Sequence, residues 1–212
     1  MEYTIIYYSS NREKPEFEKK IQENILGNSN GLSIVSVTQR PMSFGKNICV
    51  GEHFNCYYNE FRQIQIALQN VETPYVLVTE SDFLYPPDYF LFEPKELGKC
   101  YRYKDVWVLY DKGEVFVLKG KSDGAQLMDR KMWLDMIDKW LDNNKMWSAG
   151  GEPKRRTPQV SMNNEKYMWS GNPAITFKTK NNITPRTKTT DITSKGLPYW
   201  GTVEEIRKTY EN

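Results

Sequence analysis

Thr73-Pro74-Tyr75-Val76-Leu77-Val78-Thr79-Glu80-Ser81-Asp82-Phe83 decides how this chain is read. An almost wholly apolar run, opened by Pro and rich in Val, ends abruptly in two carboxylates one residue apart. Such a run reads as a strand buried on both faces. Residues two apart on a strand face the same side, so Glu80 and Asp82 can converge just beyond its carboxyl end. In open α/β sheets that edge is where ligands bind. Two hard oxygen donors there suit Mn²⁺ or Mg²⁺, and such an ion suits a substrate diphosphate. The same pattern also fits a strand that leaves the core into a solvated acidic turn.

The flanking segments supply a parallel frame for that strand. Tyr3-Thr4-Ile5-Ile6-Tyr7-Tyr8 is β-branched and aromatic, hence a strand, and it ends at the turn and capping residues Ser9-Ser10-Asn11-Arg12. Phe17, Ile21, Ile25 and Leu26 then recur at helical spacing until Gly27. Residues 32–38 form a second strand. Residues 59–70 are helical, with Phe61, Ile64, Ala67 and Leu68 on one side, and lead straight into the carboxylate-bearing strand. Alternation of strand and helix is the signature of right-handed parallel crossovers. Beyond the break at Pro86-Pro87, residues 105–110 and 114–119 flank Asp111-Lys112-Gly113 and predict a β-hairpin. Residues 125–141 predict a helix with Leu127, Leu134, Ile137 and Leu141 inward. From about Gly150 the chain is polar, irregular and locally basic, carrying Lys154-Arg155-Arg156, Lys178, Lys180, Arg186 and Lys188. A short helix over 203–210 closes it.

With 212 residues, 39% of them hydrophobic, the chain can bury a substantial core in one domain. A net charge of +2 argues against a nucleic-acid-coating protein while leaving room for a local basic surface. No apolar run approaches the length of about 18 residues that a membrane-spanning helix needs. No basic and apolar leader precedes the first strand, so a soluble, cytoplasmic protein is expected. Three cysteines, an odd number, point to free thiols. Cys49, His53 and Cys56 are spaced to share a helix face and could hold zinc, although a fourth ligand is missing; small buried thiols are the alternative.

Three loops should meet at the carboxyl edge of the parallel strands. Ser9-Ser10-Asn11-Arg12 opens a helix whose N-terminal amides attract an anion. Arg40 and the segment with Lys46 and Asn47 follow the second strand, and Glu80-Ser81-Asp82 follows the third. Polar side chains, cations and a carboxylate pair on one edge suit a nucleoside diphosphate with its metal. The chain has neither a Walker A loop nor G-x-G-x-x-G.

On these residues the chain resembles the GT-A glycosyltransferases. The strand and loop from Tyr3 to Asn11, and the strand ending in Glu80-Ser81-Asp82, look like that family's nucleotide-sugar half and its Asp-x-Asp metal motif, with Glu in the first acidic place. Ser122-Asp123-Gly124 through Arg130, followed by Ala149-Gly150-Gly151-Glu152, is similar to the later part of family 2-like members. Asn47-Ile48-Cys49-Val50-Gly51 and Asp82-Phe83-Leu84-Tyr85-Pro86-Pro87 are most similar to small phage-encoded members, some of which decorate hydroxymethylated bases in phage DNA.

The resemblance implies an α/β fold, a GT-A-like Rossmann-type mixed sheet flanked by helices, with a β-hairpin and an irregular basic C-terminal segment. It implies one domain, with a nucleotide-binding half over 1–98, an acceptor half over 99–180 and a C-terminal segment over 181–212. It also implies a divalent metal (Mn²⁺ or Mg²⁺) on Glu80 and Asp82, and a nucleotide-sugar donor, UDP-sugar favoured, held by Ser9, Ser10, Asn11, Arg12, Arg40, Lys46, Asn47, Ser81, Lys178 and Arg186. For an inverting reaction, Glu152, with Asp129 second, would be the catalytic base. A third metal ligand is not evident; water, the diphosphate or a residue such as Asp191 would have to serve. Double-stranded DNA bearing modified bases is an implied acceptor, in host cytoplasm if the chain is phage-encoded, with binding that weakens steeply in salt through Lys154, Arg155 and Arg156. A sugar nucleotidyltransferase, or a non-catalytic GT-A-like binding module, are the alternatives.

Overall fold

The computed structural model describes residues 2–150, 158 and 165–210. The first half runs β1 (Tyr3–Ser9), α1 (Pro15–Asn28), β2 (Ile34–Thr38), β3 (Lys46–Cys49), α2 (Tyr57–Gln69) and β4 (Tyr75–Glu80). It continues through β5 (Phe83–Leu84), α3 (Pro87–Phe90), β6 (Cys100–Tyr103), β7 (Val106–Tyr110), β8 (Phe116–Gly120), β9 (Gln126–Asp129) and α4 (Arg130–Trp140). The last elements are β10 (Met168–Trp169), β11 (Ala174–Lys178), β12 (Thr193–Ser194), β13 (Gly196–Leu197), β14 (Gly201–Thr202) and α5 (Val203–Tyr210).

The main sheet has the order β10-β6-β9-β4-β1-β2-β3. Strands β4, β1, β2 and β3 are parallel, whereas β9 is antiparallel to both of its neighbours, β4 and β6. The fold is therefore α/β with a mixed sheet flanked by helices. Alternation along the strands separates the two faces. Ile5, Tyr7, Tyr75 and Leu77 pack with Phe17, Ile21 and Ile25 of α1 and with Phe177 of the second sheet. Ile6, Tyr8, Val76 and Val78 pack with Phe61, Ile64 and Leu68 of α2 and with Ile137 and Trp140 of α4. Burial of each such aliphatic side chain contributes about 1.5–3 kcal/mol, so the central strands are fixed from both sides.

The smaller sheet, in the order β12-β8-β7-β11-β5, contains the expected hairpin as β7 and β8. Its edge strand β5 starts directly after Asp82, and the Phe177 N–H donates to the Asp82 carbonyl at 2.8 Å. That junction ties the carboxylate edge of the main sheet to the second sheet, and it positions the side chains that follow.

Three segments depart from the sequence-based expectation. The helix expected over 125–141 is a strand, β9, followed by α4. Asp129 turns one into the other: its carboxylate accepts from the Met132 N–H at 2.8 Å as the helix N-cap. The stretch after β2 becomes the short edge strand β3. The region read as irregular beyond 150 contributes β11, a strand hydrogen-bonded on both sides within the second sheet. Among the described residues no helix is long and apolar enough to cross a membrane.

Candidate functional site

The carboxyl edge of β1, β2 and β4 opens into a cavity of about 270 Å³. Glu80, at the end of β4, pairs in register with Tyr8 of β1, and side chains opposite one another on adjacent strands share a face. The Tyr8 hydroxyl accordingly donates to Glu80 Oε1 at 2.7 Å. Behind the pair stands Tyr85, fully buried. Its hydroxyl accepts from the Glu80 N–H at 3.0 Å and donates to the Gly124 carbonyl at 2.6 Å. This strut locks the strand end to the Ser122-Asp123-Gly124 turn. Gly124 is close enough that a β-carbon there would lie 2.4 Å from Glu80 Oε2.

Asp82 is buried beside the junction with β5. Lys178 Nζ, at the end of β11, lies 3.8 Å from Asp82 Oδ2, and the Asn182 amide donates to the same oxygen. Five carboxylates line the cavity, Glu13, Glu60, Glu80, Asp82 and Asp123, against three cations, Arg12, Lys119 and Lys178. This crowding is visible in the acidities. Burial, then the Asp82 carboxylate, pushes Glu80 up to about 7, against the pull of the Tyr8 hydrogen bond and of Lys178 and Lys119. Burial, then Glu80 and Asp82, pushes Glu60 of α2 well above the usual carboxylate range. Burial pulls Lys178 down, but Asp82 and Glu80 more than offset it and leave that ammonium above its ordinary value.

Of the residues singled out in the sequence, Glu80, Ser81, Asp82, Ser10, Arg12 and Lys178 line this cavity together. The cavity passes into a wider surface groove of about 770 Å³, sharing Ser10, Arg12, Glu13, Gln39, Phe54 and Asn181 with it. Arg40 lies in that groove, ion-paired to Glu52 at 2.9 Å. Its floor includes His53 stacked on Trp147, with ring centroids 3.7 Å apart.

Asn11 also lines that groove, and the remaining sequence-derived residues do other work. Ser9 and Asn11 build the loop: Ser9 Oγ accepts from the Asn11 N–H at 2.9 Å, and Asn11 Oδ1 accepts from the Arg40 N–H at 2.8 Å. Asn11 has φ 51°, a left-handed conformation that Asn tolerates. The helix behind this loop is poorly placed to attract an anion. It begins only at Pro15, and Glu16 and Glu18 already occupy its first turn.

The Asn47 amide is spent on the Ser36 and Thr38 hydroxyls, at 2.9 Å each. Lys46 opens β3 and therefore sits at the opposite, amino edge of the sheet, where it reaches Asn70. Arg186 is exposed and outside the cavity, although Thr184 and Thr187 line it. Asp191 is also exposed and outside it. Glu152, like Lys154, Arg155 and Arg156, lies outside the described residues.

Asp129 is far from the other carboxylates. It pairs with Tyr75 at the start of β4, a strand length of roughly 17 Å from Glu80. Both of its oxygens are engaged, one by Met132 N–H and the other by Gly98 N–H at 2.9 Å. Asp129 is thus a helix cap and not a base. Asp129→Ala is expected to lower stability by about 1–2 kcal/mol while leaving the activity of the folded fraction intact. Thermal denaturation beside an activity assay checks this; full stability with lost activity would restore a catalytic role.

The zinc alternative also dissolves. Cys49 is exposed, Cys56 is buried at the start of α2, and the His53 ring bonds the Val50 carbonyl at 3.0 Å. Among the described residues no group of three His, Cys, Asp or Glu gathers around a common point. Sequence reasoning missed Glu13, Glu60 and Lys119, which arrive from loop, helix and second sheet with no local motif to mark them.

No protein-family model matches the chain, and no curated protein does. Among solved structures it is similar to S. aureus TarS (9% identity, 66% of this chain and 32% of that chain, TM-score 0.40). It is also similar to the glycosyltransferase GlyE of Streptococcus pneumoniae TIGR4 (12% identity, 66% and 38%, TM-score 0.39). A third likeness is to the bifunctional IspDF of Campylobacter jejuni (9% identity, 81% and 49%, TM-score 0.37). The chain thus spans about a third to a half of the length of these structures. The likeness is one of partial architecture.

Proposed function

We propose that the chain transfers a sugar from a nucleotide-sugar donor to an acceptor hydroxyl, with Glu80 and Asp82 holding a divalent cation, Mn²⁺ or Mg²⁺, for the donor diphosphate. The observation that carries this reading is the excess of carboxylates over cations in a cavity at the carboxyl edge of a central parallel strand. A polyanion entering such a site needs a cation brought with it. The residues fit one: two hard oxygen donors, a glycine whose missing side chain leaves room for the Glu80 carboxylate, and a Glu80 whose pKa is pushed up by burial and then by Asp82. When bound, the ion neutralises charge on the departing diphosphate.

On this reading the chain's own groups divide the remaining tasks. Tyr8 and Tyr85 orient Glu80. Ser10 and Arg12, with Arg40 and the stacked His53–Trp147 pair of the adjoining groove, would receive the nucleoside. With Asp129 engaged as a cap, Glu152 is the proposed base that takes the acceptor proton.

The test is donor hydrolysis. Incubation with Mn²⁺ and a panel of UDP- and GDP-sugars should release nucleoside diphosphate slowly from at least one of them. Binding without turnover would favour an interaction module, and release of pyrophosphate from a nucleoside triphosphate would favour a nucleotidyltransferase.

Metal linkage gives a second, activity-independent check. Burial and then Asp82 push Glu80 up to about 7 in the folded chain, from an ordinary value of 4.5. Because the folded value is the higher one, the folded state is favoured by the protonated form. The penalty is absent below the ordinary value, grows as pH rises through this window and is complete above 7. It amounts to about 3 kcal/mol at most. A cation on the ionised pair relieves it, so Mn²⁺ should raise the melting temperature by several degrees at pH 8 and hardly at all at pH 5. An equal shift at both pH values would contradict a Glu80 metal site.

A further inference from the structure

Two ammonium groups reach the carboxylate edge from the second sheet, but only one of them meets an acid. Lys178 ends β11 and lies 3.8 Å from Asp82. Lys119 belongs to β8, on the other side of β7. The β7–β8 register pairs Val106 with Gly120 and Trp107 with Leu118, so Lys119 is the extra residue of a β-bulge. A bulge re-aims its unpaired side chain, and bulges gather beside active sites for that reason. Here the side chain lines the cavity, with Nζ 2.8 Å from Ser122 Oγ.

An ammonium carries three donors, and that hydroxyl uses one of them. Among the described residues Lys119 forms no ion pair. Burial, then the like charge of Lys178, lowers its pKa below the ordinary lysine value, against the opposing pull of Glu80, Asp123 and Asp82. Lys119 therefore brings to the cavity wall, alongside Lys178, an ammonium with donors beyond the one spent on Ser122, and a bound anion can accept from them. The Ser122 contact fixes the direction of the side chain, because Ser122 belongs to the turn that Tyr85 locks to Glu80 through Gly124.

We infer that Lys119 and Lys178 form a two-lysine cradle for the donor diphosphate, with Lys119 contacting the phosphate that bears the sugar. This rests on, and deepens, the sugar-transfer reading. In the step itself the acceptor oxygen forms a bond to the anomeric carbon, and the bond from that carbon to the phosphate oxygen breaks. The electron pair stays on the phosphate oxygen, the acceptor proton goes to the base, and Lys119 stabilises the new charge by hydrogen bonding without giving up a proton. Lys119 thereby joins Lys178 as a leaving-group cation.

Titration of inorganic pyrophosphate into the full chain in the presence of Mn²⁺, followed calorimetrically, tests the cradle. Lys119→Met should weaken binding at least about tenfold, in line with the loss of a charged hydrogen bond. Lys119→Arg should bind within a few-fold of wild type. Lys119→Gln serves as a second neutral variant, and a melting curve for each establishes that it is folded. Wild-type-like pyrophosphate affinity in a folded Lys119→Met or Lys119→Gln protein overturns the cradle, as does a wild-type protein that binds no pyrophosphate.

The two readings fail separately. Lys119-dependent pyrophosphate binding in a protein that hydrolyses no nucleotide-sugar keeps the cradle and sinks sugar transfer. Donor hydrolysis that is indifferent to Lys119→Met sinks the cradle and keeps sugar transfer.

Discussion

Asp82→Ala is expected to lower Mn²⁺-dependent donor hydrolysis by about three orders of magnitude, or roughly 4 kcal/mol of transition-state stabilisation. The size follows from what Asp82 does in the cavity. It is buried, shares an edge with Glu80, and anchors both Lys178 and Asn182. Removing it deletes one of two proposed metal donors and at the same time frees Lys178 from its carboxylate. Carboxylates still outnumber cations in the remaining lining, so the variant should bind the donor diphosphate more weakly as well as fail to release it from the sugar. Stability is expected to change little, because removing one of two crowded carboxylates relieves repulsion on Glu80. Hydrolysis retained at the wild-type rate in Asp82→Ala would end the metal assignment.

Gly124→Ala is expected to reduce activity about a hundredfold with a stability loss of only about 1 kcal/mol. The new β-carbon would lie 2.4 Å from Glu80 Oε2 and 2.8 Å from Oε1, so something must move. The turn cannot give easily, because the Gly124 carbonyl is held by the Tyr85 hydroxyl, which also holds the Glu80 N–H. The free end of Glu80 gives instead, swinging off Tyr8 and out of its place beside Asp82. One hydrogen bond is lost and the fold survives, but the carboxylate pair is broken. Comparison of melting temperature with donor hydrolysis separates the two effects. Equal losses in both, or full activity, would show that the Glu80 rotamer is not what Gly124 protects.

Much of the frame could be read from the chain because its signals are local. The apolar run over 75–80 is buried on both faces and announces itself without help from any partner. The alternation through β1, α1, β2, α2 and β4 follows from periodicity alone. The carboxylate edge was legible for the same reason: its position at the end of a buried strand is a property of sequence order.

Elsewhere the local signals conflict. Gln126–Asp129 runs into α4 without a Gly or Pro between them, so strand and helix merged into one apparent helix. The Asp129 cap, three residues before Met132, was the one mark of the boundary. Lys46–Cys49 is short and polar because it is an edge strand. β11 was hidden in polar surroundings, although Ile175, Thr176 and Phe177 carry strand-forming side chains.

The rest of the cavity was not legible, since tertiary packing assembles it. Glu60 comes from the N-terminal turn of α2, Glu13 from the loop before α1, and Lys119 from a bulge whose register no periodicity predicts. Asp129 shows the converse. Its acidic character near a glycine-rich turn resembled a base, whereas both of its oxygens are spent on backbone amides at the wrong end of the sheet.

The central claim is that Glu80 and Asp82 hold a divalent ion against a nucleotide diphosphate. A crystal of the protein grown with Mn²⁺ and UDP, measured for anomalous scattering, tests it most directly. The expected result is one strong anomalous peak within ligand distance of Asp82 and of a diphosphate oxygen. A diphosphate held by Lys119 and Lys178 with no peak beside the carboxylates, or a cavity that takes up neither nucleotide nor metal, would contradict the claim.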